Sequence, residues 1–493
     1  RQAPSAEGPD CNQNGGERGL IMKILFAASE ALPLIKVGGL GDVMGALPKE
    51  LVKKGVDARV VIPMYSVMSQ EMRDQCKFEK FFYFSLGWRS CYCGIFSAQA
   101  NGVTYYLIDN EQYFKRGGTY GEFDDAERFA YFSKAVLEIL PHIDFFPDII
   151  HANDWHTALV PVYLDTQYRS LPGYGSIKTV FSIHNIEFQG KYDMSILESV
   201  FGIYPSQSSL VEFDGCLNLM KGAIECSNIV TTVSRTYAEE ILNPYFSFGL
   251  HPILEARKYK LHGIVNGIDT DLFNPETDAN IKAHYSVGDT EGKKADKAAL
   301  QQEVGLPENP DVPVLGLVTR LTPQKGIDLF EPIMAELMEE DVQIVVLGNG
   351  FADYENYFKY CDYTYHDKFR AMIKFSASLA QRIYAGADIF LMPSKSEPCG
   401  LAQMIAMRYG TIPVVHAVGG LKDTVSPFNP ETLEGSGVTF QSFNASDMLD
   451  AIRRAVAIWK DGKQREAIMK NAMSGDYTWT ASAGEYIKLY ESL

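Results

Sequence analysis

The sequence predicts an α/β protein with two doubly wound domains that face each other across a cleft. Three observations indicate this class. The chain has 493 residues, more than a single hydrophobic core usually organises. Its apolar segments are short, continuous and rich in Val and Ile, as in parallel sheets that helices cover on both faces. These segments fall into two series, which the polar stretch 275–311 separates.

The two series define the expected domains, an N-terminal one over residues 22–265 and a C-terminal one over residues 266–493. The predicted strands of the first are 23–28, 57–62, 147–151, 177–183, 228–233 and 261–265. Those of the second are 312–319, 342–347, 388–392 and 411–415. We expect the last helix to pack back on the N-terminal domain. Because doubly wound sheets bind ligands at the carboxyl ends of their strands, the cleft between the domains is the expected active site.

The composition is that of a globular enzyme and excludes several other classes. Apolar residues make up 46% and charged residues 22% of the chain, and no apolar run is long enough to span a membrane. The net charge of −17 argues against a nucleic-acid partner, which would need a basic footprint. The eight cysteines are scattered without a CxxC pair, which indicates a reducing compartment. An anionic substrate would require the few basic residues to gather where it binds.

Residues 1–21 are rich in Gly, Pro, Asn, Gln and Glu and show no periodicity. They contain no apolar core segment, and they carry Glu7, Asp10 and Glu17, so they are typical neither of a secretory signal nor of a transit peptide. We expect a disordered leader or a cloning remnant, and the missing initiator Met favours an incomplete or processed chain.

A glycine-rich loop, residues 36–43, follows the first predicted strand and reads KVGGLGDV. Glycines let the backbone approach a ligand closely, and the next helix offers free N–H groups and the positive end of its dipole. Lys36 adds a positive charge suited to a phosphate. The loop matches neither G-x-G-x-x-G nor the Walker pattern, so a tight turn with a surface lysine is the alternative. Pro48 would kink the helix.

The sequence motif Val-Gly-Gly-Leu-x-Asp of residues 37–42 recurs at residues 418–423, again after an apolar strand. One such loop in each domain predicts two helix N-termini directed at one anionic ligand in the cleft. The alternative is a chance repetition.

Two basic residues, Arg320 and Lys325, lie on the loop that follows the first strand of the second domain. Loops at strand ends bind anions in open α/β sheets. Arginine can grip two phosphate oxygens, and lysine can stabilise the charge that remains when a sugar leaves a diphosphate. Two solvated surface cations are the alternative.

An acidic residue, Glu397, lies in the segment 394–401, between a strand and a helix. Its carboxylate could accept hydrogen bonds from sugar hydroxyls or stabilise an oxocarbenium-like centre. The alternative is a structural role, in which the carboxylate interacts with the positive end of the helix dipole. Cys399 has no neighbouring His or basic residue, so we expect it to be packed rather than nucleophilic.

The first domain carries histidines at 151, 156 and 184. His151 and His156 are five residues apart and would not share one face of a helix, which disfavours a zinc site. His184 follows a buried strand, where a lone histidine is usually structural, but it could also hydrogen-bond a sugar. Trp155 and Phe188 would suit stacking on a sugar ring.

Taken together, these segments resemble the bacterial glycogen synthase and plant starch synthase family over residues 22–493. The matching motifs are KVGGLGDV at 36–43, HANDWH at 151–156, SIHNIEFQG at 182–190, NGID at 266–269, TRLTPQKG at 319–326, SKSEPCGL at 394–401 and VGGLKDTV at 418–425. Two positions depart from the family pattern: Val37 stands where many members have Thr, and Asn153 where some have His. Neither departure removes a charged group.

The resemblance implies a GT-B glycosyltransferase that moves glucose from ADP-glucose to the 4-hydroxyl at the non-reducing end of an α-1,4-glucan, with retention of configuration. It implies catalytic roles for Glu397, His184, Arg320 and Lys325. It implies donor contacts for Lys36, Gly38, Gly39, Asp42, Asn266, Cys399, Gly400, Gly419, Gly420, Leu421 and Thr424. Asn185 and Asp154 would lie on the acceptor side. No cofactor or metal is expected, although residues 269–271 spell the D-x-D of metal-dependent sugar transferases.

The nearest alternative is another GT-B glucosyltransferase with a small acceptor, such as a sucrose or trehalose-phosphate synthase. A catalytically dead glucan-binding protein would be expected to lack the basic residues, and a dinucleotide-dependent oxidoreductase would be expected to have G-x-G-x-x-G. The expected partners are ADP-glucose and an α-glucan (glycogen, starch or a maltooligosaccharide). The expected compartment is the cytoplasm for a bacterial chain and the plastid for one from a plant or alga.

Overall fold

The computed structural model describes residues 21–493, so all but the last residue of the predicted leader lies outside the described part. Two large sheets organise these residues. One has nine strands from the N-terminal half, and the other has six strands from the C-terminal half. We call the two halves the N-terminal and the C-terminal lobe.

The N-terminal lobe contains twelve strands among the described residues. They are β1 (Lys23–Ala27), β2 (Asp57–Pro63), β3 (Lys77–Leu86), β4 (Arg89–Ala100), β5 (Val103–Asp109), β6 (Ile149–Asn153), β7 (Lys178–Ile183), β8 (Lys191–Tyr192), β9 (Glu212–Phe213), β10 (Cys216–Asn218), β11 (Ile229–Thr232) and β12 (Leu261–Gly263). Its helices are α1 (Gly39–Lys53), α2 (Gln70–Asp74), α3 (Glu111–Phe114), α4 (Asp125–Glu138), α5 (Leu159–Tyr163), α6 (Leu219–Cys226), α7 (Arg235–Glu240) and α8 (His251–Ala256).

The nine-stranded sheet has the order β12-β11-β7-β6-β1-β2-β5-β4-β3, and β8, β10 and β9 form a small separate sheet. The strands from β12 to β5 pair in parallel, and β4 and β3 extend the sheet as an antiparallel hairpin. All six predicted strands of this lobe are present, with ends shifted by one or two residues. The sequence predicted no strand at β3, β4 or β5. In β3 aromatic and charged residues are mixed on the exposed face, so no continuous apolar run marks the strand.

The C-terminal lobe contains β13 (Val314–Val318), β14 (Gln343–Leu347), β15 (Phe369–Met372), β16 (Ile389–Met392), β17 (Ile412–His416) and β18 (Val438–Phe440). Its helices are α9 (Glu291–Val304), α10 (Met334–Leu337), α11 (Ala352–Thr364), α12 (Ala377–Gly386), α13 (Ala402–Arg408), α14 (Gly419–Thr424), α15 (Ala445–Lys460), α16 (Gly462–Met473) and α17 (Trp479–Glu491). The sheet is parallel throughout, in the order β15-β14-β13-β16-β17-β18. Numbered within the lobe this is 3-2-1-4-5-6, the order of dinucleotide-binding folds.

The last helix, α17, leaves the C-terminal lobe and packs against α1 of the N-terminal lobe. Tyr490 on α17 places its hydroxyl 2.7 Å from Nδ1 of the buried His151, and the Ser482 hydroxyl donates to the carbonyl of Val265 at 2.6 Å. The nine-stranded sheet ends at Gly263 and the next large-sheet strand begins at Val314. The domain boundary near residue 265 stays a prediction.

No helix within residues 21–493 combines the length and the apolar character needed to cross a bilayer. The seven cysteines of this part of the chain are all free.

Candidate active site

A cavity of about 610 Å³ lies between the lobes, where the carboxyl ends of β1 and β13 meet. We call it the cleft cavity. The N-terminal lobe contributes Lys36 and Asp42 to its wall, and the C-terminal lobe contributes Thr319, Arg320 and Leu401. The parallel strands of both sheets therefore direct their following loops into one space, as the predicted architecture requires.

The first glycine loop is held by a glutamate that no sequence motif indicated. The backbone N–H groups of Val37 and Gly38 donate to the carboxylate of Glu30, with Gly38 N 2.9 Å from Oε2. The Glu30 side chain is almost completely buried, and burial raises its pKa, against the lowering effect of the N–H bonds. Lys36 Nζ lies 2.7 Å from the Asp42 carboxylate. The N–H groups that lead into α1 thus already have an anionic partner, and Lys36 has one too.

The second glycine loop is held from the opposite lobe. Gly419 N donates to Glu240 Oε1 at 2.9 Å, and Thr236 at the start of α7 donates its N–H to Asp423 at 2.9 Å. The helices α7 and α14 therefore cap each other across the lobes. Gly420 N donates to the carbonyl of Glu397 at 3.1 Å.

Two further residues of the second glycine loop make contacts inside the C-terminal lobe. Leu421 is buried, and the Thr424 hydroxyl donates to the carbonyl of Gly420 at 2.6 Å. Within the described chain, Gly419, Gly420, Leu421 and Thr424 do not line the cleft cavity, and their contact with a donor stays a prediction.

Lys325 and Glu397 form an ion pair between the loops that follow β13 and β16. Lys325 Nζ lies 2.6 Å from Glu397 Oε2, which also accepts from the Ser394 hydroxyl at 2.9 Å. Glu397 Oε1 makes no hydrogen bond within residues 21–493. Arg320 is exposed at the wall of the cleft cavity and makes no ion pair with the described residues. Among the described residues, Arg320 lines the cleft cavity, whereas Lys325 and Glu397 do not line it and are paired with each other.

Asn266 and Cys399 meet where the two lobes join. Burial raises the pKa of the Cys399 thiol to about 12, and the nearby backbone of Asn266 acts in the opposite direction. The thiol is therefore neutral, in agreement with a packing role. Asn266 is buried, and its side-chain oxygen has no partner among the described residues. Gly400 has φ +73°, a conformation in which glycine is favoured.

His184 and Asp154 are linked at the ends of β6 and β7. The His184 N–H donates to Asp154 Oδ1 at 2.8 Å, and His184 Nε2 lies 2.9 Å from Asn153 Oδ1. Because the Asn153 amide donates to the carbonyls of Ala27 and His151, its oxygen accepts, so Nε2 carries the hydrogen and Nδ1 can accept.

The protonation of both residues follows from their surroundings. Burial lowers the pKa of His184 to about 4, so the ring is neutral at physiological pH. Burial also raises the pKa of Asp154 to about 7, although the N–H groups of His184 and Asn185 act in the opposite direction. The Asn185 side chain accepts from the N–H of Glu187 at 3.0 Å, so Asn185 orders the loop beside this pair.

The D-x-D triplet lies at one end of the cleft and contacts a lysine. Lys49 Nζ lies 3.3 Å from Asp271 and 4.0 Å from Asp269, and Asp269 Oδ1 accepts the N–H groups of Asp271 and Leu272. In the part of the chain that the structure describes, no cluster of three or more His, Cys, Asp or Glu side chains has the arrangement of a metal site.

A loop that no sequence motif predicted lines part of the cleft cavity. Lys374, Phe375 and Ser376 lie between β15 and α12, and the Phe375 ring is 84% exposed. β15 has only four residues and was not predicted, so nothing in the sequence pattern marked this loop as a strand end.

Two Rossmann-like lobes in one chain, with cations converging on the cleft between them, define a GT-B glycosyltransferase. Residues 23–256 match the family model of the starch synthase catalytic domain, and residues 299–474 match that of glycosyl transferases group 1. The glycogen synthase of Bacillus cereus (strain B4264) is 50% identical over 474 residues, which cover 96% of this chain and all of that protein. That of Clostridium perfringens (strain 13 / Type A) is 50% identical, with 96% and 98% covered.

Solved structures agree with these relatives. The catalytic domain of starch synthase IV from Arabidopsis thaliana, bound to ADP and acarbose, superposes with a TM-score of 0.88 at 35% identity, covering 96% of this chain and 99% of that one. A sucrose-phosphate synthase from Thermosynechococcus elongatus shares the fold, with a TM-score of 0.61 at 17% identity and coverage of 96% and 98%. The chain belongs to the glycogen and starch synthase family, and it is a glucosyltransferase.

Proposed function

We propose that this chain transfers glucose from ADP-glucose to the 4-hydroxyl at the non-reducing end of an α-1,4-glucan, with retention of configuration. The observation that carries the proposal is that Lys36 of one lobe and Arg320 of the other line the same cavity. Lys325 lies five residues after Arg320 and pairs with Glu397. The ADP and acarbose bound to the Arabidopsis relative, and the naming of the bacterial relatives as glycogen synthases, support this donor and this acceptor.

The three cations account for binding of the diphosphate. In a chain of net charge −17, an anionic ligand is drawn only to places where basic groups are concentrated. Arg320 is unpaired and can bind two phosphate oxygens, while Lys36 and Lys325 can exchange their carboxylate partners for phosphate. The glycine loop with Gly38 and Gly39 would follow Lys36 towards the donor, and Asp42 would hold Lys36 in place when the donor is absent.

The outer part of the cleft cavity suits the nucleoside. Phe375 offers an exposed ring at its rim on which a base can stack, and Ala377, Tyr384 and Ile405 contribute apolar wall. These surroundings support a nucleoside in this place. The choice of adenine over uracil rests on the family.

The inner part of the site offers acceptors and donors for the glucose. Glu397 Oε1, the side-chain oxygen of Asn266 and Nδ1 of His184 have no partner among the described residues, and sugar hydroxyls can supply one to each. Gly400 and Cys399 position Glu397 through the turn that they share with it. The second glycine loop would support this turn, because the Gly420 N–H donates to the carbonyl of Glu397. Its residues with an expected donor role are Gly419, Gly420, Leu421 and Thr424.

The chemical step then follows from electrostatics. The bond between C1 of glucose and the phosphate oxygen breaks, the acceptor oxygen bonds to C1 on the same face, and the acceptor proton passes to the departing phosphate. Arg320 and Lys325 stabilise the charge that develops on the diphosphate. Glu397 is ion-paired with Lys325, which suits stabilisation of a cationic sugar better than attack on it. Asp154 and Asn185 would orient the acceptor beside His184.

The proposal is tested with purified protein, glycogen and a panel of ADP-, UDP- and GDP-glucose carrying labelled glucose. We expect label in the polymer fraction with ADP-glucose and at least tenfold less with the others. Lys325→Ala and Glu397→Ala should each lower turnover by about 100-fold or more. Lys294→Ala is the matched control, because Lys294 is an exposed lysine paired with Glu291.

Near wild-type turnover of Lys325→Ala and Glu397→Ala would contradict the assignment. Label found only in small sugars would favour the small-acceptor alternative. The compartment belongs to the same proposal, namely the cytoplasm of a bacterium or the plastid of a plant or alga.

A further inference from the structure

The turn that carries Glu397, residues 397–400, is held by both lobes. It lies between β16 and α13, and Glu397 and Pro398 are buried. From the C-terminal lobe, Gly420 N lies 3.1 Å from the carbonyl oxygen of Glu397 and 3.2 Å from that of Pro398. From the N-terminal lobe, the Ser234 hydroxyl donates to the Pro398 carbonyl at 2.5 Å. The Pro398 carbonyl oxygen, one residue from Glu397, therefore binds donors of both lobes.

Ser234 lies two residues after the end of β11 and is completely buried. Its Oγ accepts the N–H of Tyr237 at 3.2 Å and so caps α7. A hydroxyl has one hydrogen, and here that hydrogen is used for Pro398 in the other lobe. The backbone of Ser234 is fixed as well, because a Cβ at Gly263 of β12 would lie only 2.3 Å from the Ser234 carbonyl oxygen. The N-terminal lobe therefore holds this donor in a defined place.

Other contacts between the lobes surround this one. Asp423 accepts the N–H and the hydroxyl of Thr236, at 2.9 and 2.5 Å, and Glu240 accepts the Gly419 N–H at 2.9 Å. These bonds join α7 to α14. The Ser234 bond differs from them, because it reaches the buried turn directly.

We propose that Ser234 is a positioning residue for the transfer reaction, whose hydroxyl fixes the turn 397–400 and thereby orients the Glu397 carboxylate. Glu397 Oε2 is bound to Lys325 and Ser394, which belong to the C-terminal lobe. These partners stay with the carboxylate wherever the N-terminal lobe lies, whereas the Ser234 bond exists only while the lobes are in contact. Ser234 therefore makes the orientation of Glu397 depend on closure of the cleft.

This inference rests on the proposed role of Glu397 in glucose transfer and adds to it a residue of the opposite lobe. Lys36 and Arg320 line the cleft cavity, and within residues 21–493 neither makes a hydrogen bond with Ser234. Binding of the donor diphosphate should therefore not depend on Ser234, whereas the rate of the chemical step should.

The test measures kcat and KM for ADP-glucose at saturating glycogen in Ser234→Ala, Ser234→Gly and Ser234→Thr. We expect the alanine and glycine variants to lower kcat by about tenfold, the effect of one lost hydrogen bond to a buried carbonyl, with KM within about twofold of the wild type. Threonine keeps the hydroxyl, so Ser234→Thr should retain kcat within about threefold. Ser69→Ala is the control, because Ser69 caps α2 by accepting the Met72 N–H at 3.3 Å and does not line the cleft cavity.

Ser234→Gly separates positioning of the turn from capping of α7. Glycine is nearly as good an N-cap as serine, whereas alanine is a poor one. If capping were the whole role, Ser234→Gly would keep the wild-type kcat and only Ser234→Ala would lose activity. Positioning of the turn predicts equal losses of kcat in the two variants, although Ser234→Ala should have the lower melting temperature.

A wild-type kcat in Ser234→Gly would overturn the proposal. A kcat of Ser234→Thr as low as that of Ser234→Gly would overturn it as well, since the hydroxyl would then not matter. The four proteins are also compared on whichever nucleotide sugar and acceptor the wild type prefers, because the contact does not depend on the identity of either. A wild type that left glycogen unlabelled with ADP-glucose but used another pair would contradict the proposed function alone.

Discussion

The two glycine loops share the letters Val-Gly-Gly-Leu-x-Asp and a place between a strand and a helix, but they are held in different ways. The first loop, residues 37–42, takes its carboxylate from Glu30 in the same lobe. The second, residues 418–423, takes its carboxylate from Glu240 in the other lobe and caps α7 in return through Asp423. The first loop is therefore a wall of the cleft, and the second is a contact between the lobes.

This difference shows what a short motif determines. The glycines set a turn that frees backbone N–H groups at the start of a helix in both places. The acceptor that these N–H groups bind can lie far away in the chain. Glu240 and Gly419, for example, are 179 positions apart. The same sequence motif can thus form the wall of a ligand site at residues 37–42 and a contact between the lobes at residues 418–423.

The largest expected effect comes from adding one methyl group to each loop. A Cβ at Gly420 would lie 2.1 Å from the Cys399 carbonyl oxygen and 2.4 Å from its Cα, so the turn behind Glu397 must move. At Gly39 a Cβ meets no atom within 4 Å. We expect Gly420→Ala to lower the free energy of unfolding by about 3 kcal/mol and turnover by about 100-fold. Gly39→Ala should change stability by less than about 1 kcal/mol.

Urea unfolding, together with turnover on glycogen, measures both variants. Equal effects of the two substitutions would break the comparison, since they would mean that the second loop is no more tightly packed than the first.

A smaller effect is expected from neutralising the two carboxylates without changing their size. Glu30 accepts N–H groups from Val37 and Gly38, whereas Glu240 accepts only that of Gly419. Glutamine keeps one oxygen that can accept these N–H groups, but its NH2 group is itself a donor and replaces the second carboxylate oxygen. Neutralising the acceptor weakens each of these hydrogen bonds by about 1 kcal/mol, which corresponds to about a fivefold change in rate. We therefore expect Glu30→Gln, with two such bonds, to lower turnover by about 30-fold and Glu240→Gln, with one, by about fivefold.

Steady-state kinetics with separate kcat and KM for ADP-glucose measures this effect, and Glu291→Gln, at an exposed ion pair, is the control. We expect Glu30→Gln to act mainly on kcat, because it positions the wall of the cleft. If Glu240→Gln had the larger effect, the contact between the lobes would be more important than the wall.

The sequence was sufficient for the fold class, and the structure and the relatives confirm it. Strands such as β1 and β14 are continuous apolar runs because helices cover both faces of the sheet. β15 and β18 were missed because they have four and three residues, too few to form a pattern. The hairpin β3–β4 was missed because one of its faces is exposed.

The candidate site was predictable only where a loop follows a predicted strand. Lys36 and Arg320 were found in this way, and both line the cleft cavity. Glu30 and Glu240 were not found, because a single glutamate in the sequence carries no sign that it will be buried against the N–H groups of a loop. Phe375 was not found because it follows the unpredicted strand β15. Roles of all these residues in binding stay predictions.

The smallest expected effect is a dependence on pH that the two loops share. Burial raises the pKa of both Glu30 and Glu240 above the ordinary value of 4.5. A carboxyl group whose pKa is higher in the folded than in the unfolded chain contributes most to stability below about pH 4.5, and this contribution falls as the pH rises through the folded pKa. Glutamine does not titrate. The destabilisation caused by Glu30→Gln or Glu240→Gln should therefore be larger at about pH 5 than at about pH 7.5, as measured by urea unfolding.

The sign of this pH dependence also tests the difference between the loops. The N–H bonds from Val37 and Gly38 oppose the effect of burial on the pKa of Glu30, whereas that of Gly419 does so for Glu240. If the destabilisation grew with pH for one variant, the N–H bonds to the ionised carboxylate would outweigh burial at that loop. Because Glu30 accepts more of these bonds, a destabilisation that grows with pH is expected more readily for Glu30→Gln than for Glu240→Gln. If it were found for Glu240→Gln alone, the assignment of hydrogen-bond partners to the two loops would be wrong.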